Sequence, residues 1–238
     1  LDGVRCIAIV KNGHAILHSR NGKTFSDNYK KTIVADLERL AAERKIPNYV
    51  VFDGELMGSD FTKTVSQVHR KSNADVSDQH YYIFDWLPYS DWINHNSTLT
   101  CQETREKLED MHLEANSRYL KMVHRDIVPP NKIKQMHDVY IKDGFQPEGH
   151  QPYEGVMIKT LHSKYKFGRG HNVTKYKAFH DIDLEVISFE EGEGKYNGML
   201  GAIIVKNTNG VLVNVGSGFS DDERKTIWEN RKEFRNHI

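Results

Sequence analysis

Clusters of charged residues interrupt the apolar stretches of this sequence. Asp2 and Arg5 lie at the start of the first apolar stretch, and Asp53 and Glu55 lie inside another, on either side of Gly54. Burying carboxylates within an apolar stretch is costly unless they meet partners. We therefore predict that these side chains line a polar cleft. The alternative is a turn at Gly54 that leaves both carboxylates in water.

There are two further clusters. One pairs an aromatic ring with an acid, and the other pairs two lysines. Phe84 precedes Asp85 at the end of an apolar stretch; packing in the core is the alternative for Phe84. Lys175 and Lys177 lie on one face of a predicted strand, because side chains alternate along a strand with a period of two. Like charges repel, so a bound polyanion explains the pair, and exposure to solvent is the alternative.

A positive segment surrounds this lysine pair. Its members are separated by aromatic residues and glycines and include Lys159, Lys164, Lys166, Arg169, Lys175 and Lys177. Such a pattern suits contacts with phosphates, although a solvated surface gives a similar pattern. Glu154 and Lys159 are expected at opposite ends of a single strand.

The composition is that of an ordinary water-soluble chain. The 238 residues are 38% hydrophobic and 28% charged, with a formal net charge of zero. No apolar stretch approaches the roughly 20 residues that cross a bilayer, and no signal peptide is visible. Two cysteines are too few for a disulfide framework. We therefore expect a cytoplasmic protein with no membrane partner. The 13 histidines show no zinc-ligand spacing.

Alternating and helical patterns predict the elements that position these residues. A hairpin turns at Asn12–Gly13, and capping boxes begin helices at Thr100 and Ser220. Another helix is expected over 32–44, and one after Pro130 that ends near Gly144. The predicted strands are 4–10, 14–20, 49–56, 81–87, 154–159, 173–179, 184–189, 201–206 and 211–215.

The predicted secondary structure changes near residues 179–183, from mixed strands and helices to a series of short strands. This change predicts two domains, residues 1–180 and 181–238. The first mixes strands and helices, so the expected class is α+β. The second has short strands, an Asn209–Gly210 turn and one helix in about sixty residues, which favours a small β-barrel of the OB-fold type.

The motifs, in their order along the chain, resemble those of the covalent nucleotidyltransferases, the superfamily of DNA ligases, RNA ligases and mRNA capping enzymes. The motifs are Asp2–Arg5, Asp53–Leu56, Phe84–Asp85, Glu154–Lys159 and Lys175–Lys177. Within that superfamily the sequence is most similar to small ATP-dependent DNA ligases of phage and bacterial type. Segments 194–201 and 215–220 resemble OB-domain segments of DNA ligases that capping enzymes and many RNA ligases lack. The resemblance implies a nucleotidyltransferase (adenylation) domain of antiparallel sheets and helices, followed by an OB-fold domain.

The resemblance also implies roles for the nucleotide-site residues. Arg5 and Glu55 are expected to bind the ribose hydroxyls of AMP, and Phe84 to stack on adenine. Asp2 and Asp53 are expected to shape the nucleotide and nick site.

The remaining implied roles concern phosphates and a metal. Glu154 is expected to bind Mg2+, a hard cation that prefers carboxylate oxygen. Lys175 and Lys177 are expected to contact the phosphates of ATP and of the adenylate, and Lys159 to lie beside the AMP phosphate. Arg20 matches an accessory motif that binds the 5′-phosphate at a nick.

The expected nucleophile is a lysine immediately before Leu1, two residues ahead of the Asp-Gly pair. It is either absent or present as an adenylated residue, and we favour the second. The resemblance further predicts that the OB-fold is incomplete at Ile238 and that a basic motif follows.

The implied function is sealing of nicks in duplex DNA by a monomer that uses ATP. ATP is favoured over NAD because the zinc-binding and hairpin segments of NAD-dependent ligases have no counterpart in the sequence. An RNA end-joining ligase is one alternative. A nucleic-acid-binding module without catalysis is another, and an α+β domain without a ligand is the third.

Overall fold

The computed structural model describes residues 3–143, 155–168, 170–177 and 182–234. The chain divides into two compact units, residues 1–178 and 179–238. The predicted domain boundary at 179–183 stays a prediction, because residues 178–181 lie outside the described ranges. None of the described helices is both long and apolar enough to span a membrane.

Five strands form the main sheet of the first unit, in the order β2–β1–β3–β4–β5. Neighbouring strands are antiparallel except β4 and β5, which are parallel. The predicted α+β class with antiparallel sheets is therefore confirmed for this unit. The strands are β1 (Val4–Lys11), β2 (His14–Ser19), β3 (Tyr49–Met57), β4 (His80–Pro88) and β5 (Leu120–Met122).

The predicted hairpin joins β1 to β2. Asn12 and Gly13 form its loop with φ angles of 52° and 76°, a region that glycine and asparagine adopt most readily. Lys11 and His14 are direct partners on either side, so the loop has the two residues typical of tight hairpins.

A bulge in β4 changes which of its side chains face the core. Asp85 lies opposite Asp53, but the next pair along skips Phe84, so Phe84 is the extra residue. A Cβ atom on Gly54 would lie 2.4 Å from the carbonyl oxygen of Tyr82, so only glycine allows the strands to approach here. Gly54 thus lies within β3, and Asp53 is fully buried (0% exposed). The alternative of a solvated turn is excluded for Asp53.

Several α-helices of the first unit add side chains to the core on one face of this sheet. The described α-helices of this unit are α1 (Ile33–Ala42), α2 (Phe61–His69), α3 (Tyr89–Ile93), α4 (Cys101–Asp110), α5 (Leu113–Asn116) and α6 (Ile133–Asp143). As the spacing predicts, α1 buries Ile33, Leu37, Leu40 and Ala41. These side chains join the main core with Leu108 of α4.

Both predicted capping boxes are present. At the start of α4 the hydroxyl of Thr100 accepts from the Glu103 amide at 3.3 Å, and the Glu103 carboxylate accepts from the Thr100 amide at 2.8 Å. Ser220 and Glu223 repeat the arrangement in the second unit. Each box satisfies amide groups that a helix start leaves without partners.

The sequence patterns missed α2, α3, α5 and β5. The helix α2 buries Thr64, Gln67 and Val68, and because two of these are polar the apolar helical period is hidden. Its one local signal is Asp60, whose side chain accepts from the Lys63 amide at 2.7 Å. The strand β5 has three residues, too few to show an alternating pattern.

A two-stranded antiparallel sheet completes the first unit. It pairs β6 (Gly155–Lys159) with β7 (Val173–Lys177). The helix α6 packs on β6, and the His137 ring of α6 meets the Tyr176 ring of β7 edge-on at 4.6 Å. This contact places the face of β7 opposite to Tyr176 away from α6.

The second unit has an antiparallel sheet in the order β10–β9–β8. Its elements are β8 (Glu185–Glu191), β9 (Leu200–Lys206), β10 (Leu212–Val215), α7 (Asp221–Glu229) and α8 (Arg231–Phe234). Within residues 182–234 these strands form an open sheet. The buried guanidinium of Arg224 in α7 donates to the carbonyl oxygens of Leu200 at 2.8 Å, Gly201 at 3.0 Å and Gly216 at 2.6 Å.

Candidate functional site

The motif residues of β1 and β3 share the sheet face opposite the main core. Cys6 of β1 and Phe52 of β3 belong to the core. Side chains alternate along each strand, so Arg5, Asp53 and Glu55 lie on the other face, which we call the cleft face. Arg5 and Glu55 are direct partners across the two strands. The predicted polar face is thus formed by strand geometry.

The buried carboxylate of Asp53 is paired with Arg5. Arg5 Nε donates to Asp53 Oδ1 at 3.0 Å, and Arg5 Nη2 donates to Asp53 Oδ2 at 2.6 Å. Burial raises the pKa of Asp53, and hydrogen bonding from Arg5 counters that rise. The same pairing raises the pKa of Arg5. Bidentate pairs of this kind fix orientation as well as charge.

Tyr165 is the second partner of this pair. Its hydroxyl donates to Asp53 Oδ2 at 2.7 Å and accepts from Arg5 Nη2 at 3.2 Å. Burial, followed by the charge of Asp53, raises the pKa of Tyr165, so the hydroxyl stays protonated at neutral pH and acts as a donor. Sequence reasoning missed Tyr165, since its only signal is a place within the positive segment.

Asp85 is neutralised by two other cations. Its carboxylate forms an ion pair with Lys159 Nζ, and Arg125 Nη2 lies 3.5 Å from the second oxygen. The three side chains are 9%, 18% and 19% exposed, in the order Asp85, Lys159, Arg125. Lys159 was predicted for the site; Arg125 was not, because it belongs to no motif. Side-chain charges as buried as these interact with one another more than with water.

Phe84 lies beside this ion pair. Its side chain is partly exposed, and it is absent from the main core. The Lys159 ammonium lies 5.5 Å from the centre of the Phe84 ring, within the range of a cation–π contact. Core packing, the alternative for Phe84, is therefore excluded. A planar ring beside an ammonium group can accept a flat aromatic ligand that carries a negative charge.

The three predicted lysines share one face of the two-stranded sheet. Lys175 is the direct partner of Met157, and Lys177 is the direct partner of Gly155. Opposed residues project to the same side, and Lys159 lies two positions beyond Met157. The register therefore places Lys159, Lys175 and Lys177 on one face, as a site for phosphates requires.

Of the remaining predicted site residues, Glu55 lies on the cleft face and, within the described part of the chain, Arg20 does not contact it. The Glu55 carboxylate accepts from the Gly3 amide at 2.9 Å, which ties it to the first motif. Arg20 is exposed in the turn after β2; none of its contacts with described residues joins it to the cleft face. Asp2 and Glu154 lie outside the described residues.

Within the described ranges, no group of three His, Cys, Asp or Glu side chains could hold a metal ion. The predicted magnesium ligand, Glu154, lies outside those ranges. Arg5 on the cleft face has donors suited to an anion. Arg5, 43% exposed, uses Nε and Nη2 on Asp53, and its Nη1 donates to none of the described residues. A guanidinium has five N–H donors, so this group retains donors for a ligand.

Comparisons with known proteins identify the domains. The ATP dependent DNA ligase domain matches residues 1–177, and the DNA ligase OB-like domain matches residues 191–234. These matches confirm the predicted adenylation domain followed by an OB-fold domain.

A DNA ligase of Nitrosopumilus maritimus (strain SCM1) is 26% identical over 255 aligned residues, which cover 96% of this chain and 40% of the relative. The solved structure named Pmar-Lig_PreS3 has a TM-score of 0.82 at 31% identity and covers 98% of this chain and 54% of its own. A solved Lig E DNA ligase has a TM-score of 0.68 at 22% identity, with 95% of this chain and 78% of its own covered; this likeness shows the fold. The chain spans about half the length, or less, of the first two proteins.

Proposed function

The chain belongs to the ATP-dependent DNA ligase family, and we propose that it is the catalytic core of an enzyme that seals nicks in duplex DNA through a lysine-bound adenylate. One observation carries the proposal: Arg5 lies on the cleft face as the direct partner of Glu55, while Phe84 and Lys159 meet beside the buried Asp85. Arg5 and Glu55 suit the ribose, Phe84 suits the adenine, and Lys159 suits a phosphate.

The nucleotide occupies the cleft face. Phe84 stacks on the adenine, because its ring is accessible and polarised by the Lys159 ammonium. Arg5 and Glu55 bind the ribose hydroxyls, and Asp53 fixes the orientation of Arg5. Lys159 lies beside the AMP phosphate while Asp85 restrains its side chain.

Three displacements at phosphorus make up the reaction. A deprotonated lysine immediately before Leu1 attacks the α-phosphate of ATP, a P–N bond forms as the nitrogen loses a further proton, and pyrophosphate leaves. The 5′-phosphate at the nick then displaces the lysine and takes the AMP, and Asp2 helps to shape this site. Finally the 3′-hydroxyl attacks the activated 5′-phosphate, loses its proton, and AMP leaves. Lys175 and Lys177 stabilise negative charge on the phosphates in each step, an electrostatic contribution that is strongest in a site that excludes water.

We also propose that a magnesium ion acts with these residues. Glu154, immediately before β6 in the sequence, would supply the carboxylate oxygen that this hard cation prefers. When bound, magnesium neutralises phosphate oxygens and polarises the phosphorus that is attacked.

Duplex DNA is the proposed substrate, bound by a monomer. Arg20 holds the 5′-phosphate at the nick, and the OB-like unit contacts the sugar–phosphate backbone with little sequence preference. The match to the DNA ligase OB-like domain supports DNA over RNA.

Sealing assays on two substrates test the proposal. A polypeptide that carries a lysine immediately before Leu1 is incubated with ATP, magnesium and either nicked duplex DNA or the same nick in RNA. We expect joining of the DNA nick. Joining of the RNA nick alone would establish the RNA-ligase alternative, and joining of neither, with tight DNA binding, would establish a binding module.

A further inference from the structure

The segment 160–168, which follows β6, brings Tyr165 to the cleft face. Tyr165 is separated from Asp53 by 112 positions in the sequence and from Arg5 by 160. Its hydroxyl nevertheless contacts both side chains, at 2.7 Å and 3.2 Å respectively. We call residues 160–168 the Tyr165 arm.

The hydroxyl completes the hydrogen bonding of a buried carboxylate. Asp53 is fully buried, and its Oδ2 accepts from both Arg5 Nη2 and Tyr165, while its Oδ1 accepts from Arg5 Nε. An ionised carboxylate can be buried only when donors surround it. Without the tyrosine hydroxyl, Arg5 alone would have to satisfy Asp53, and the guanidinium would lose one of the two groups that restrain its position.

The first anchor of the Tyr165 arm is the start of α4. The Cys101 amide donates to the Ser163 carbonyl at 2.8 Å, and the Gln102 amide donates to the Leu161 carbonyl at 3.0 Å. These are amides that a helix start leaves without intrahelical partners. The helix α4 therefore fixes the backbone of the arm just before Tyr165.

The second anchor is aromatic. The Phe167 ring stacks on the His95 ring at 5.0 Å with 7° between the planes. It also contacts the Trp92 ring at 5.6 Å and the Tyr165 ring at 5.1 Å. Since Trp92 belongs to α3, the arm is fixed on both sides of Tyr165.

We propose that Tyr165 is a positioning residue for the nucleotide, acting through Arg5 and Asp53. The anchored arm holds the hydroxyl at a fixed point, and the hydroxyl holds the guanidinium so that Arg5 Nη1 stays available to the ligand. This role rests on the proposed function, because it requires that Arg5 bind the nucleotide.

Calorimetric titration of the chain with ATP tests the proposal. We expect Tyr165→Phe to weaken ATP binding about tenfold, because Arg5 is no longer held in place and loses about one charge-assisted hydrogen bond to the nucleotide. The matched control is Tyr29→Phe, which removes a hydrogen bond of the same length, 2.7 Å, to Gln79 in the core. This control should lower stability but leave the affinity for ATP unchanged.

A double-mutant cycle separates positioning from a structural effect. In an Arg5→Ala background, Tyr165→Phe should weaken ATP binding by less than about twofold, since the residue it acts through is gone. An equal loss in both backgrounds overturns the positioning role, as does unchanged affinity of the single variant. If the unaltered chain binds no ATP, the proposed function fails and the role of Tyr165 fails with it.

Discussion

Asp53 of β3 and Asp85 of β4 are direct partners across the sheet, and each buried carboxylate has its own cations. Arg5 neutralises Asp53, and Lys159 and Arg125 neutralise Asp85. Like charges directly opposite each other destabilise a sheet, so these separate partners allow the pair to exist. Because Asp53 and Asp85 are neighbours, their cationic partners Arg5, Lys159 and Arg125 also lie close together at the cleft.

Removing the charge of Asp85 should destabilise the first unit. Asp85→Asn leaves Lys159 and Arg125 close together without their counter-ion, and we expect the free energy of unfolding to fall by about 2–4 kcal/mol. Urea denaturation measures this. The control is Asp27→Asn, which breaks the exposed pair with Lys30 and should change stability by less than about 0.5 kcal/mol. Equal losses in the two variants would mean that the Asp85 pairs contribute no more than a surface pair.

Removing the Phe84 ring should weaken nucleotide binding without unfolding the chain. Stacking on a base is worth about 1–3 kcal/mol, so Phe84→Ala should weaken ATP binding by about tenfold or more. Because Phe84 is outside the main core, the urea midpoint should change little. Phe61→Ala removes a ring that is 46% exposed on α2 and should leave ATP affinity unaltered. The adenine-stacking role is rejected if both variants bind ATP equally well.

The motifs could be predicted because their information is local. Asp53 and Glu55 stand out as charges in an apolar stretch, and the hairpin that aligns β1 follows from Asn12–Gly13. Strand alternation then places Arg5 beside them once β1 and β3 pair. Capping boxes are local for the same reason, and both were found.

Two partners of the buried carboxylates, Tyr165 and Arg125, could not be predicted. Tyr165 and Arg125 reach Asp53 and Asp85 through contacts 112 and 40 positions apart, and no periodicity encodes such distances. The bulge at Phe84 is also invisible in the sequence, because it arises from how β4 pairs with β3. It reverses the expected alternation and turns Asp85 toward the cleft.

Arg224 should determine the stability of the second unit. Arg224→Met retains the buried stem but leaves three carbonyl oxygens without their donor, and we expect a loss of about 2–4 kcal/mol. Hydrogen exchange at the amides of β9 measures this unit by itself. Lys225→Met, at the exposed next position of α7, is the control. Unchanged exchange in Arg224→Met would show that water replaces the guanidinium at no cost.

His80 should make stability depend on pH. Burial, together with the nearby charges of Lys121 and Arg118, lowers the pKa of His80 below 6.5. Below pH 6.5 the unfolded chain therefore binds more protons than the folded chain, so this group lowers stability as the pH falls through 6.5. Between about pH 7.5 and about pH 5.5, His80→Gln should lose less stability than the unaltered chain. Lys121→Gln should give an intermediate loss; a loss unaffected by either change would contradict the assignment.

Intact-mass spectrometry tests the central claim most directly. A polypeptide that carries a lysine immediately before Leu1 is incubated with ATP and magnesium and then weighed. We predict a mass increase of one AMP per chain, with release of one pyrophosphate, and no increase when that lysine is replaced by arginine. Absence of the AMP adduct with ATP, or an adduct formed from NAD alone, would contradict an ATP-dependent adenylation site.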